Sequence, residues 1–376
     1  MTESIPNSDF EVLDNNFTRW NQNDVRRQSF RNLHRINRYG MTLRSDRVLP
    51  LRENFNPCIA DIDELQLLCS RKIFCGLAVV KGSEILFEKY APDFAPDQPH
   101  TIMSISKTTV NLIIGKMVAS GQLDLGKKVG DYLPTIGSGY REASLQQVMD
   151  MDVVNNYKEE YADPNSTSYA NEVSIGWRIE GEDINLSQRD YLPTICSDDI
   201  QNRSAEPIYK SANTDVLAWI AEEVSGKPLR QWLLEIGEAA GFEDTLYVST
   251  DRSGMPILDG GISLTLRDLA RFGLLFARLG RGVADRQVGD SKFIEHSRKR
   301  ASLEFPAPRQ GMYYSNQFYT DKTWIGHGGW GGQFMLANPD TGTVCVIFSV
   351  LENDGAYDLS YTAPMVKLLA EIAAKY

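Results

Sequence analysis

The chain has 376 residues, 42% of them hydrophobic and 24% charged, the composition of an ordinary folded protein with room for two packed units. Its formal net charge of -11 argues against a nucleic-acid partner, because phosphate binding runs on clustered positive charge. The opening MTESIPNSDF lacks the basic start and apolar stretch of a secretory signal, and no segment approaches the roughly 20 apolar residues of a membrane helix, so the expectation is a cytoplasmic protein without a membrane partner.

Residues 19–52 hold nine arginines against only Asp24 and Asp46. Residues 1–50 therefore read as an N-terminal arm whose arginines pair with an otherwise acidic body. Residues 73–80 and 85–90, joined at Lys81-Gly82, read as an antiparallel pair of strands. Next comes a predicted helix over Thr108–Ser120, with Val110, Ile113, Ile114, Met117 and Val118 forming one apolar stripe. Ser104 and Lys107 lie three apart at its N-terminal end, a spacing that puts both side chains on one face. A lysine amine takes a serine proton where the site disfavours the ammonium, through burial or a neighbouring positive charge. A Ser-x-x-Lys match arises about once by chance in a chain of this composition, so the alternative is a surface coincidence.

Residues 155–207 are rich in Asn, Ser, Asp and Glu and read as long loops, which in a compact domain form a lid or a binding surface. Then follows Tyr209-Lys210-Ser211-Ala212-Asn213, ahead of the stripe Val216, Leu217, Trp219 and Ile220 of a helix predicted over Asp215–Val224. A phenol at a helix mouth both donates and accepts, which suits a proton relay; the plainer reading is an aromatic packed at a helix end. A further helix is predicted over Leu266–Leu279. Near the far end, Gly326-His327-Gly328-Gly329-Trp330-Gly331-Gly332-Gln333 leaves backbone N–H groups bare enough to meet an oxyanion, or simply makes a bend. Predicted strands Gln333–Ala337 and Thr343–Leu351 and a closing helix over Tyr361–Tyr376 complete the chain.

Strands at both ends around mainly helical sequence predict an α+β fold. Residues 51–102 and 300–376 would build an antiparallel sheet flanked by helices, with a mainly α-helical domain inserted over 103–299 and the active site in the cleft between them. The five cysteines are an odd number with no Cys-x-x-Cys pair, which predicts buried free thiols. Gly-x-Ser-x-Gly is absent. The four histidines have no zinc-binding arrangement. Gly121-x-x-x-x-Gly126-Lys127-Lys128 fails as a phosphate loop, since Lys128 stands where a hydroxyl belongs. No cofactor or metal is called for.

Ser-x-x-Lys, a tyrosine about a hundred residues on and a His-x-Gly strand near the C-terminus, in this order, resemble the serine β-lactamase and penicillin-binding protein superfamily. Within its class C-like branch, the blocks at 19–40, 103–134, 159–166, 209–229, 259–273 and 326–342 are most similar to those of 6-aminohexanoate-dimer (nylon oligomer) hydrolases and related esterases. The resemblance implies a β-lactamase-like fold and a serine hydrolase acting through an acyl-enzyme on linear amides or short-chain esters. It makes Ser104 the nucleophile, Lys107 its general base and Tyr209 the proton relay. The backbone N–H groups of Ser104 and Trp330 become the oxyanion hole, His327 takes the place of the strand lysine of β-lactamases, and Tyr161 that of a loop tyrosine bonding the scissile amide.

Two departures stand out. The usual Tyr-x-Asn is here Tyr209-Lys210-Ser211, which leaves open whether Ser211 or Asn213 meets Lys107 or the substrate. Replacing the strand lysine by His327 removes a charge that would hold the carboxylate of a β-lactam. A carboxylesterase, a D-amino-acid peptidase or a β-lactamase of the same fold remains an alternative, as does a silent relative binding peptides or cell-wall fragments. The expected partner is a small-molecule amide or ester, and the sequence leaves a homodimer open.

Overall fold

The computed structural model describes residues 20–160, 163, 166–178 and 186–376. Among them, nine strands form one sheet in the order Arg52–Glu53, Glu84–Tyr90, Phe74–Lys81, Thr343–Ser349, Gln333–Asn338, Ile325–Gly329, Phe318–Thr320, Tyr313–Ser315 and Leu303–Glu304. Strands from the two ends of the chain meet inside it, with Val79 opposite Cys345 in an antiparallel pair. The α+β reading with a sheet drawn from both termini is therefore borne out. One departure is the short edge strand Arg52–Glu53, which runs parallel to its neighbour.

Residues 74–80 are all buried, so this strand is covered on both faces instead of alternating. Successive side chains on a strand point to opposite faces, and two of them on Thr343–Ser349 identify the covers. Val344 faces the helix Leu266–Ala277, which packs so tightly that a Cβ on Gly273 would stand 2.5 Å from Val344 Cγ1. Cys345 faces the closing helix Leu359–Lys375, its thiol donating to the Leu369 carbonyl at 3.6 Å. Thr265 starts the first of these helices by accepting a hydrogen bond from the backbone of Asp268.

A second, four-stranded sheet was not anticipated. It orders Gly40–Leu43, Leu246–Ser249, Ile262–Leu264 and His100–Thr101, strands too short to show an alternating pattern. The predicted loops of 155–207 likewise contain the short helices Ser168–Ser174 and Gln188–Tyr191.

The arginine-rich arm forms the helix Arg26–Ile36. Arg27 and Arg31 both grip Asp93, at 2.8 and 2.7 Å. Arg26 instead is buried and donates to the carbonyls of Leu351, Asn353 and Asp354. All five cysteines are free; Cys69, Cys75 and Cys345 are buried, but Cys58 and Cys196 are exposed, which corrects the expectation for those two. Among the described residues no helix is long and apolar enough to cross a membrane.

Candidate active site

Ser104 lies in a 3₁₀ turn, Met103–Lys107, that runs directly into the helix Thr108–Ala119. The serine thus precedes the α-helix instead of opening it. Met103 holds a φ of 47°, a left-handed conformation that costs an ordinary L-residue energy and tends to persist at functional sites. Burial of Val110, Ile113, Ile114 and Met117 fixes the helix behind the turn.

Lys107 is fully buried, and a buried amine needs partners. Its Nζ lies 3.1 Å from Ser104 Oγ, 3.0 Å from Ser211 Oγ and 2.5 Å from the Asp259 carbonyl oxygen. Ser211 arrives there because its helix spans Ser211–Ser225, starting four residues before the predicted Asp215. Of the two polar residues after Tyr209, Ser211 is therefore the one that meets the lysine. Asn213 is corrected as a substrate contact: it is buried on another side of the helix, accepting from Tyr140 Oη at 2.9 Å and donating to the Val148 carbonyl at 3.2 Å.

The Tyr209 ring centroid lies 5.1 Å from Lys107 Nζ, between the rings of Tyr314 at 6.0 Å and His327 at 6.1 Å. Its buried hydroxyl makes no well-formed hydrogen bond among the described residues. Burial, reinforced by Tyr319, Tyr314 and Glu159, pushes this phenol well above its ordinary pKa, while the nearby Ser104 hydroxyl pulls weakly the other way. The phenol keeps its proton and can donate it.

His327 stacks on Tyr319 with ring centroids 4.2 Å apart. Its Nδ1 lies 2.7 Å from the Gly328 carbonyl, and since a carbonyl only accepts, that nitrogen carries the proton. Burial, with Lys107 adding to it, pushes the imidazole down to about 3. The ring is therefore neutral across the physiological range. Sequence reasoning placed His327 on the substrate; the side chain is fully buried, and it is the adjacent Gly328, Gly329 and Trp330 that line the cavity.

That cavity, of about 1980 Å³, is shared by Ser104, Glu159, Tyr209 and Trp330. The end of strand Ile325–Gly329 reaches the turn that carries Ser104 because residue 329 has no side chain: a Cβ there would stand 2.6 Å from the Ile102 carbonyl oxygen. Trp330 is braced from the N-terminal arm. Arg26 sits 4.9 Å over its ring, Trp20 and Phe30 pack at 5.9 and 5.7 Å, and its indole donates to the Gly355 carbonyl at 2.9 Å. Tyr161 lies outside the described residues.

Three acidic residues went unassigned from sequence. Glu159 accepts from the Ser211 backbone N–H at 2.6 Å and from Ser211 Oγ at 2.9 Å. Glu172 and Asp259 line a smaller cavity, of about 50 Å³, that also reaches Ser104 and includes Asn171 and Trp177. Burial pushes Glu172 up to about 7, opposed by Arg178 at 3.1 Å, and pushes Asp259 up to about 6, opposed by Lys107. Each is a single acidic residue on a separate segment, and no spacing rule joins them. Among the described residues no group of His, Cys, Asp and Glu is placed to hold a metal.

A family model described as Beta-lactamase matches residues 75–363. The chain is similar to the 6-aminohexanoate-dimer hydrolase of Paenarthrobacter ureafaciens, 36% identical over 211 residues. That match covers 55% of this chain and 52% of the relative, so it spans about half the relative's length. Among solved structures, one from Bacillus anthracis, assigned provisionally as a 6-aminohexanoate-dimer hydrolase, superposes with a TM-score of 0.81 at 21% identity over 98% of both chains. A penicillin-binding protein from Bacillus halodurans gives 0.59 at 15% identity over 81% of this chain and 99% of that one. At such identities the likeness speaks for the fold, and together with the family match over most of the sequence it establishes that this chain belongs to the β-lactamase family.

Proposed function

We propose that this protein is a serine hydrolase that forms an acyl-enzyme on Ser104 and acts on linear amides or short-chain esters in the manner of a 6-aminohexanoate-dimer hydrolase. The observation that carries the reading is the buried Lys107 amine, 3.1 Å from Ser104 Oγ and held by Ser211 and the Asp259 carbonyl. In acylation, Ser104 Oγ attacks the substrate carbonyl carbon and its proton passes to Lys107 Nζ. The oxyanion so formed faces the backbone N–H groups of Ser104 and Trp330. Collapse breaks the bond to the leaving nitrogen or oxygen, which takes a proton through Tyr209. Water then cleaves the serine ester and returns the enzyme.

The substrate preference rests on charge. A neutral, buried His327 offers nothing to the carboxylate of a β-lactam, whereas Glu172 and Asp259 beside Ser104 suit a substrate carrying an amine at the end of a short chain. This favours linear amino-acid oligomers over antibiotics and cell-wall peptides.

Labelling with a fluorophosphonate, compared between wild type and Ser104→Ala, tests the mechanism. A Ser104-dependent adduct is expected, and its absence would leave a silent binder. Side-by-side assay of a linear 6-aminohexanoate dimer, p-nitrophenyl acetate and nitrocefin tests the preference, which falls if nitrocefin is turned over as well as the other two.

A further inference from the structure

We propose that Glu159 is a positioning residue for the proton transfer, acting through Ser211 to set the direction in which Lys107 accepts a proton. The inference rests on the serine-hydrolase reading and extends it to a residue outside the Ser-Lys-Tyr set.

A neutral lysine amine has two N–H bonds and one lone pair. For that lone pair to face Ser104, both N–H groups must find acceptors elsewhere. The Asp259 carbonyl, 2.5 Å away, only accepts and so takes one of them. Ser211 Oγ, 3.0 Å away, is ambiguous, because a hydroxyl donates as readily as it accepts. Were it to donate to Lys107, it would occupy the lone pair that Ser104 needs.

Glu159 removes the ambiguity. One carboxylate oxygen takes the Ser211 hydroxyl proton at 2.9 Å, and the other takes the backbone N–H of the same residue at 2.6 Å. With its proton committed to a carboxylate, which only accepts, Ser211 Oγ presents lone pairs alone to Lys107. The two-point grip also fixes Ser211 at the first turn of its helix. The amine is thus left with a single direction for its lone pair, along the 3.1 Å line to Ser104 Oγ.

A carboxamide cannot reproduce this. In Glu159→Gln the oxygen serves one of the two donors while the NH₂ faces the other, so Ser211 is released or turned to donate toward Lys107.

The test follows acylation of Ser104 by p-nitrophenyl acetate and by a fluorophosphonate over pH 6–10 in wild type, Glu159→Gln, Ser211→Ala and the double variant, with thermal unfolding of each. Glu159→Gln is expected to lower the acylation rate constant about 10-fold to 100-fold, with little change in KM, and to alter the shape of the pH–rate profile. The double variant is expected to be no slower than Ser211→Ala, because residues acting in series are not additive. Glu159→Asp, which keeps both acceptor oxygens, is expected to recover part of the rate. Wild-type acylation and an unchanged profile in Glu159→Gln would overturn the proposal, as would an additive loss in the double variant or a loss tracking unfolding alone. If wild type gives no Ser104-dependent adduct, the serine-hydrolase reading itself fails and this inference goes with it; normal labelling in both wild type and Glu159→Gln removes only the role of Glu159.

Discussion

Gly329 and Ile102 approach so closely that a Cβ on the glycine would lie 2.6 Å from the Ile102 carbonyl oxygen. Ile102 leads straight into the turn that carries Ser104, so this contact sets the distance between Ser104 and the strand leading to Trp330. In Gly329→Ala the strand or the turn must retreat. The rate of fluorophosphonate labelling is expected to fall about 10²-fold, the scale of a lost oxyanion donor, while stability falls by only about 1–3 kcal/mol. Wild-type labelling in a folded variant would show that this spacing does not govern acylation.

Lys107→Met keeps a long side chain and removes the amine. Acylation is expected to slow by at least about 10²-fold at every pH. Ser211 and the Asp259 carbonyl each lose a buried partner, costing about 1–3 kcal/mol apiece, so the melting temperature should drop as well. Comparing single-turnover rates on the folded fraction separates the two effects.

Tyr209→Phe leaves the packing against Tyr314 and His327 in place and deletes only the hydroxyl. Leaving groups should then sort by basicity. An amine must be protonated to depart, so amide hydrolysis is expected to fall by about 10² to 10⁴. p-Nitrophenolate leaves without help, and its ester should suffer far less. An equal loss on both substrates would argue against a relay to the leaving group.

Glu172 supplies a pH dependence. Its folded pKa of about 7 lies above its ordinary 4.5, so the protonated form is the one that folding favours. Its contribution to stability is full below pH 4.5 and is lost as pH rises through 7. Glu172→Gln mimics the protonated form permanently. Relative to wild type, the variant should therefore gain stability between pH 4 and pH 8, by up to about 3 kcal/mol. Denaturant unfolding at the two pH values checks this, and a constant difference would contradict it. If the carboxylate holds an amine, KM for the 6-aminohexanoate dimer should also fall in wild type over this range, but not in Glu172→Gln.

Long elements were legible in the sequence because periodicity survives over several turns. The strands around Val79 and Cys345 and the helices after Lys107, around Leu269 and before Tyr376 all lie within a few residues of where the pattern put them. Boundaries set by polar residues were less clear: Ser211 stood ahead of the helix predicted from Asp215, yet it begins that helix, which decided its contact with Lys107 over that of Asn213. The short strands Leu246–Ser249 and Ile262–Leu264 gave no signal because three or four residues cannot alternate convincingly. Ser104, Lys107 and Tyr209 were singled out by the resemblance of their ordered motifs to the β-lactamase superfamily, since spacing ahead of apolar stripes alone left coincidence open. Glu159, Glu172 and Asp259 were not, since what distinguishes them is burial beside Ser211 and Ser104, a property of the folded chain. His327 was recognised, but its neutrality follows from the loss of solvent and the neighbouring Lys107, which no linear pattern records.

The grip of Arg26 on the carbonyls around Leu351 joins residues 325 positions apart, and the same guanidinium caps the ring of Trp330. During synthesis, the early helix must wait for some 325 further residues to leave the ribosome before its anchor exists. The cavity beside Ser104 is therefore completed late, and a nascent chain ending before residue 325 would have neither the tryptophan brace nor the strand that closes against the Ser104 turn. Such dependence on distant pairings slows folding and ties assembly of the site to the arrival of residues 325–354.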